Sequence, residues 1–414
     1  MLTPMPPQAR GSGAIPVVLH AQLIGLAARH DLTLVTVAGA EPGEWEAVEE
    51  LRKSGIPVRA VRRTELSGWA RWNRRWQLAS AWLFSRVPWR TIWFWEAGVQ
   101  AILDELLDTQ DFDLVTAEDN SMGIYRLPSG FPAVLTEHEV RRPRRVSWQG
   151  VWGPNPLRWL FQELDWQRWR GYQHQTWSKY QRLQVFSDRD AAVIAQLAPE
   201  LSERVRVNPF GIDLPEAVDP SQGRDSDLIF VGNFSHFPNV DAAVWIGREI
   251  MPRLLERCPG VRLNLVGIYP PKEVLSLAGD AIHVLGAVPQ VEPFLRRATL
   301  VLAPVRIGGG MRMKVLQAMA LGKAVITTPR GAEGLAVDGQ EPPLLIASKA
   351  EELADAAGRL LENHAEREEL GERARAYVRA HFSPEEYRRR LEAVYREAIG
   401  AGGNRRTFPE KRNL

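Results

Sequence analysis

The feature that most constrains this chain is an alternation. Short aliphatic and β-branched runs recur between longer helical stretches: LTLVTVAG (32–39), FDLVTAE (112–118), AVLTEHE (133–139), LQVFS (183–187), DLIFVGN (227–233), VRLNLVG (261–267), TLVLAPV (299–305) and AVITT (324–328). They look like buried parallel strands, apolar on both faces. Strands that alternate with helices build βαβ units, so parallel sheets with helices on both faces are expected. The 414 residues, 45% hydrophobic and 25% charged, hold material for two cores. The stretch VNPFGIDLPEAVDPSQGRDSD (207–227) is rich in Pro, Gly and Asp, and the strand pattern restarts after it. Two domains are therefore expected, 1–210 and 211–384. They are followed by a helix over 385–399, opened by Ser-Pro-Glu, and a disordered polar tail over 400–414. The opening MLTPMPPQARGSGAIP reads as the end of a first strand and a glycine loop. Either that strand is stunted or the natural start lies upstream.

Composition excludes several classes. Fifty-two basic against 50 acidic side chains give a net charge of +2, which argues for no nucleic-acid partner. The single cysteine, Cys258, permits no intrachain disulfide, and no Cys/His spacing suggests zinc. A reducing cytoplasm is the expected compartment. No apolar run approaches the ~18–20 residues of a spanning helix, and no signal peptide is expected. The Asp-x-Asp of SDRD (187–190) sits at a strand-to-helix junction, where capping explains it better than metal binding. Tryptophan is uneven: fourteen of fifteen lie before residue 178. VRRTELSGWARWNRRWQLASAWLFSRVPWRTIWFW (61–95) and RRPRRVSWQGVWGPNPLRWLFQELDWQRWRGYQ (141–173) interleave Trp with Arg. Such faces fit an anionic membrane surface, peripheral on the inner face of the plasma membrane, or packing between helices with solvated arginines.

One segment concentrates chemistry. In APVRIGGGMRMKVLQAMALGKAVITT (303–328) a strand runs into a glycine loop and then a helix. Ligands of open α/β sheets sit at the carboxyl ends of strands, where helix N-termini offer free N–H groups to anions. Glycines allow a phosphate to approach the backbone closely, and Arg312 and Lys314 add full charges just inside the helix. Positions 310, 314 and 317 follow helical spacing, so Lys314 and Gln317 should share a face. Gly322 reads as a C-cap. The spacing is neither a Walker loop nor a dehydrogenase fingerprint. Asn239 reads as the N-cap of a helix over 240–257.

DLIFVGNFSHFPNVDAAVWIGREIMPRLLERCPGVRLNLVG and HVLGAVPQVEPFLRRATLVLAPVRIGGGMRMKVLQAMALGKAVITTPRGAEGL resemble the nucleotide-binding half of group 1 (family four) retaining glycosyltransferases. PPQARGSGAIPVVLHAQLIGLAARHDLTLVTVAG resembles the start of their acceptor domain, and VNPFGID their interdomain linker. The resemblance implies a GT-B fold: two Rossmann-like domains facing across a cleft, with the last helix crossing back onto the first. It implies hexosyl transfer from a nucleotide-diphosphate sugar to a glycan, lipid-linked or small-molecule acceptor in cell-envelope or polysaccharide synthesis, without cofactor or metal. The donor diphosphate would meet Gly11, Ser12, Gly13, Gly232, Asn233, Gly310, Met311, Arg312 and Lys314. The donor sugar would meet Gly308 and Gly309, the nucleoside Gly267, Val288 and Gln317. His138, in TEHEV, would be the catalytic polar group, while Glu118 and Asp119 could bind acceptor hydroxyls. Glu137 and Glu139 should point away from His138.

The family pattern breaks in places. Its two glutamates, seven residues apart, fall at Gly309 and Gln317, so both carboxylates are missing. Its diphosphate-binding Arg and Lys fall at Asn233 and Pro238, in a loop where only His236 could become cationic. Arg312 and Lys314 would then supply the charge from the opposite loop. Two alternatives remain open: a non-catalytic relative that binds nucleotide sugars or glycans, and a GT-B sugar-nucleotide epimerase.

Overall fold

The computed structural model describes residues 1–9, 14–39, 43–63, 76, 78–140, 156–215, 227–308 and 312–402, and the statements below concern these. The chain forms two compact units, Met1–Asn208 with Arg388–Leu414, and Pro209–Tyr387. Each is built on one parallel sheet.

The first sheet contains β1 (Leu2–Thr3), β2 (Leu34–Ala38), β3 (Val58–Arg62), β4 (Val115–Glu118), β5 (Ala133–Glu137), β6 (Arg182–Val185) and β7 (Val205–Val207). Their spatial order is β3-β2-β1-β4-β5-β6-β7, and each neighbouring pair is parallel. β1 is central yet only two residues long. Its side chains are fully used: Leu2 is buried, and Thr3 Oγ1 donates to Thr36 Oγ1 at 2.9 Å. Helix Pro384–Ala401 starts in the second unit and belongs to the first from Arg388 on. Within the first unit Tyr395 is buried, with its hydroxyl 3.4 Å from Thr116 Oγ1. Glu397 accepts from Arg182 Nε at 2.8 Å and Arg206 Nε at 2.9 Å, tying the helix to β6 and β7.

The second sheet contains β8 (Asp227–Val231), β9 (Arg262–Val266), β10 (Ile282–Gly286), β11 (Leu300–Ala303), β12 (Ala324–Thr327) and β13 (Leu345–Ile346), in the order β10-β9-β8-β11-β12-β13. All of its pairs are parallel. The helix expected over 240–257 is interrupted. An α-helix over Phe237–Trp245 passes through a π turn, Ile246–Ile250, into Met251–Arg257. Pro252 accounts for the break, because its ring cannot donate and crowds the carbonyl one turn earlier. Asn239 is not the N-cap; His236 holds that position, and Asn239 lies in the first turn.

In a parallel sheet all carboxyl ends share one edge, and ligand crevices form where strand order reverses. That reversal falls between β1 and β4 in the first unit and between β8 and β11 in the second.

Candidate functional site

In the second unit the reversal brings together the loop after β8 and the loop after β11. The β8 loop is locked by its own polar groups. Asn233 Oδ1 accepts from Ser235 N at 2.9 Å and Ser235 Oγ at 2.7 Å, and Asn239 Nδ2 donates to Asn233 O at 2.7 Å. Gly232 and Gly267 pass in contact: a Cβ on Gly267, whose φ is +157°, would lie 1.6 Å from Gly232 O. Only glycine fits there. Gly267 N also donates to Gly286 O at 2.8 Å, which joins the ends of β9 and β10. Val288 follows two residues after β10 and is half-buried.

The β11 loop leans on the β8 loop at one point. Gly308 has φ +88°, and a Cβ there would meet Pro238 Cγ at 2.8 Å. Pro238 therefore packs against Gly308. A clamp beside it was not legible from the sequence: Arg306 Nη2 and Nε bind Asp241 at 2.7 and 3.0 Å, and its guanidinium stacks 4.4 Å over Trp245. Thr327 Oγ1 donates to Ala303 O at 2.7 Å, and Thr328 Oγ1 donates to Val305 O, so β12 fixes the departure angle of the loop. Gly309, Gly310 and Met311 lie outside the described residues.

The helix after the loop is Met313–Ala320, shorter than expected, and Arg312 is its N-cap rather than a residue of its first turn. Arg312 Nη2 donates to Arg330 O at 2.8 Å, which anchors the guanidinium. Lys314 and Gln317 do share a face: Lys314 Nζ donates to Gln317 Oε1 at 3.2 Å. Lys314 is exposed by area, yet the atoms crowded along its stem desolvate the ammonium and pull it below the usual lysine value. Gly322, at φ +69°, ends the helix in a Schellman motif, with Gly322 N donating to Met319 O and Lys323 N to Ala318 O. Val315, Leu316 and Met319 are buried on the opposite side.

In the first unit Gly11, Ser12 and Gly13 lie outside the described residues, and helix Ala14–Ala27 begins directly after them. Across the reversal, Glu118 ends β4. It is fully buried and accepts from Gln22 Nε2 at 2.9 Å, Thr116 Oγ1 at 3.2 Å and Thr136 Oγ1 at 3.3 Å, all on Oε1. Its Oε2 lies 3.3 Å from His138 Nε2. Glu118 has no surface to offer an acceptor hydroxyl; its partner is His138. His138 is only 5% exposed, with Phe186 edge-on at 5.4 Å, and its Nδ1 has no hydrogen-bond partner among the described residues. In the tautomer whose Nε2–H donates to Glu118 Oε2, Nδ1 is the acceptor nitrogen of the ring.

Asp119 adopts φ +76°, a strained value for a residue with a Cβ. Its Oδ1 accepts from Ser121 N at 2.9 Å, and Arg90 Nη2 lies 4.0 Å from Oδ2. Burial alone would raise this carboxyl, but Arg90 and the Ser121 donors outweigh it and hold Asp119 below its ordinary value. Glu137 is different. Buried with the Asn120 amide and the Trp177 indole donating to its Oε1, it is pushed up to about 7 by desolvation. Glu137 faces the interior, whereas Glu139 is exposed. Asp188 and Asp190 sit in the first turn of helix Asp188–Leu197, where Ser187 Oγ accepts from Asp190 N.

The two Trp/Arg segments pack on each other. Helix Pro156–Ser178 meets the helical stretch 78–84 through Phe161 and Trp82, whose ring centroids are 4.6 Å apart. Residues 64–75, 77 and 141–155 of these segments lie outside the described set, as does the tail from residue 403. Among the described residues no helix is long and apolar enough to cross a membrane.

Residues 225–363 match the family described as glycosyl transferases, group 1. A stretch of 122 residues is 35% identical to the lipopolysaccharide core biosynthesis mannosyltransferase LpcC of Rhizobium leguminosarum bv. viciae, covering 29% of this chain and 34% of that protein. The chain thus spans about a third of the length of that curated relative. In three dimensions it is similar to Anabaena HepE in complex with UDP and glucose, with TM-score 0.61 and 14% identity over 95% of this chain and 98% of the other. It is also similar to the sucrose-phosphate synthase of Thermosynechococcus elongatus, with TM-score 0.64 and 14% identity over 97% and 98% of the two chains. At such identity these likenesses speak for the fold. The second unit carries the group 1 glycosyltransferase signature, and the chain as a whole has the GT-B fold of its structural relatives.

Proposed function

We propose that this chain is a retaining glycosyltransferase that moves a hexosyl group from a nucleotide-diphosphate sugar to a glycan, lipid-linked or small-molecule acceptor. The setting is cell-envelope or polysaccharide synthesis on the cytoplasmic side of a membrane. One observation carries the reading: at the strand reversal of the second sheet, a glycine loop opens into a helix whose N-cap is Arg312 and whose first turn holds Lys314. The unpaired N–H groups of that turn and the two cations oppose the negative charge that builds on the departing diphosphate as the anomeric C–O bond breaks. No metal is needed for that neutralisation. His138 Nδ1 is the acceptor nitrogen offered to a donor-sugar hydroxyl, with Glu118 fixing the ring. Gln317 accepts from a ribose hydroxyl through its amide oxygen. Complexes of HepE with UDP and glucose support a sugar nucleotide as the donor class.

A glutamine at 317 has a reason in this geometry. A glutamate there would form an ion pair with Lys314, whose nitrogen is already 3.2 Å from the residue 317 oxygen, and would neutralise the cation. The amide leaves the full lysine charge for the diphosphate. A second reading, binding of nucleotide sugars without turnover, is favoured by the two absent carboxylates at Gly309 and Gln317. Titration calorimetry with UDP, GDP and ADP, followed by turnover assays with the corresponding sugars, separates them. Binding of one nucleoside diphosphate with turnover supports the transferase; binding without turnover of any sugar across varied acceptors supports the second reading; no binding contradicts both.

A further inference from the structure

The first unit has a surface that transfer chemistry does not use. Phe161, Asp165 and Arg168 form one stripe of helix Pro156–Ser178, spaced four and three residues apart, and all three engage Trp82. Phe161 lies 4.6 Å from the indole, Asp165 Oδ1 accepts from Trp82 Nε1 at 2.8 Å, and Arg168 stacks at 3.8 Å. Asp165 also accepts from Trp89 N at 2.8 Å, so the seam is closed by specific contacts. That seam turns the flanking residues outward. Leu160 and Leu164, one turn apart on the neighbouring stripe, are exposed. Across the seam Phe84 is 86% exposed and Leu83 61%, and Trp76 of the same segment is 68% exposed. Large apolar side chains at such exposure cost free energy in water unless something covers them.

The charge identifies what covers them. Segments 61–95 and 141–173 together contain fourteen arginines and three carboxylates, in a chain whose net charge is only +2. The remainder of the molecule is therefore net acidic, and the positive charge is concentrated in the two segments that carry the apolar face. Among the described residues of these segments Arg86 and Arg170 are exposed. Exposed apolar and aromatic side chains on arginine-rich segments match the acyl–headgroup boundary of an anionic bilayer, with rings at headgroup depth and guanidinium groups on lipid phosphates. We infer that the first unit docks on an anionic lipid surface through the face formed by Trp76, Leu83, Phe84, Leu160 and Leu164. Docking is interfacial, without a spanning segment, and it is independent of the donor site in the second unit.

The test is co-sedimentation of the full chain with vesicles of equimolar phosphatidylglycerol and phosphatidylcholine, and with phosphatidylcholine alone. The chain should bind the anionic vesicles at low salt and at least tenfold more weakly both to neutral vesicles and in added salt. The double variant L83D/F84D should lose at least tenfold while keeping its circular dichroism and its nucleoside diphosphate affinity. Tryptophan emission should be quenched by brominated lipids in the wild type and not in the variant. Absence of binding to anionic vesicles at low salt, equal binding to neutral ones, or unchanged binding of L83D/F84D would overturn the inference. So would light scattering that shows self-association abolished by L83D/F84D in a chain that ignores vesicles.

Discussion

Glu137→Gln isolates the buried carboxyl cluster of the first unit. In the fold Glu137 titrates near 7, against about 4.5 for an ordinary glutamate, because burial outweighs the Trp177 and Asn120 donors and Asp119 adds repulsion. Between those two values the folded protein holds a proton that the unfolded chain releases, so this residue's contribution to stability falls as pH rises through the window. A shift of that size corresponds to about 3 kcal/mol between pH 4.5 and pH 8. A glutamine keeps an oxygen for the Trp177 and Asn120 donors but has no charge to desolvate. Its new amide N–H groups carry their own cost, which does not depend on pH. The difference in unfolding free energy between variant and wild type should therefore move by about 3 kcal/mol in the variant's favour from pH 4.5 to pH 8, whatever its offset. Urea unfolding followed by tryptophan fluorescence reads this unit selectively, since fourteen of fifteen tryptophans precede residue 178. Parallel pH profiles for the two proteins would show that Glu137 ionises like an exposed glutamate and refute the reasoning.

Three further outcomes concern the second unit. Arg312→Ala and Lys314→Ala should each weaken nucleoside diphosphate binding at least tenfold, about 1.4 kcal/mol, by calorimetry; unchanged binding in both would remove the cation cradle. Gly308→Ala should cost binding on a similar scale, through its positive φ and the Pro238 contact. Adding Pro238→Ala should restore only part, because the backbone strain remains, and full restoration would show that φ is not limiting. Gln317→Glu should bind donor no more tightly than wild type, since the new carboxylate pairs with Lys314; a tenfold gain would mean that the amide is a defect.

The strands that could be read from the sequence and those that could not fall on opposite sides of one physical line. All eight apolar runs became strands, and they are the interior ones, covered on both faces. The four missed strands, β3, β7, β10 and β13, are the four sheet edges. Their residues are mostly half-exposed, and β3 reads VRAVR, so no continuous apolar signal exists. The short β1 was legible because its loop and helix follow the expected order. At the site, Lys314 and Gln317 were found from spacing, because helical neighbours are local. The Arg306–Asp241 pair spans 65 positions, and the Gly308–Pro238 approach is equally non-local; neither has a signature in any short window. The position of Arg312 at the N-cap was missed because the loop uses two more residues before the helix starts.

The account rests on the second unit's glycine loop being a working donor site. The most direct measurement incubates the purified chain with UDP-, GDP- and ADP-sugars and a panel of glycan and lipid-linked acceptors, and follows the anomeric signals by NMR. The account predicts release of one nucleoside diphosphate with transfer of the sugar, the product keeping the donor's anomeric configuration, and loss of both in Lys314→Ala. A product of inverted configuration would contradict the retaining mechanism, and donor consumption undiminished in Lys314→Ala would contradict the assignment of the site.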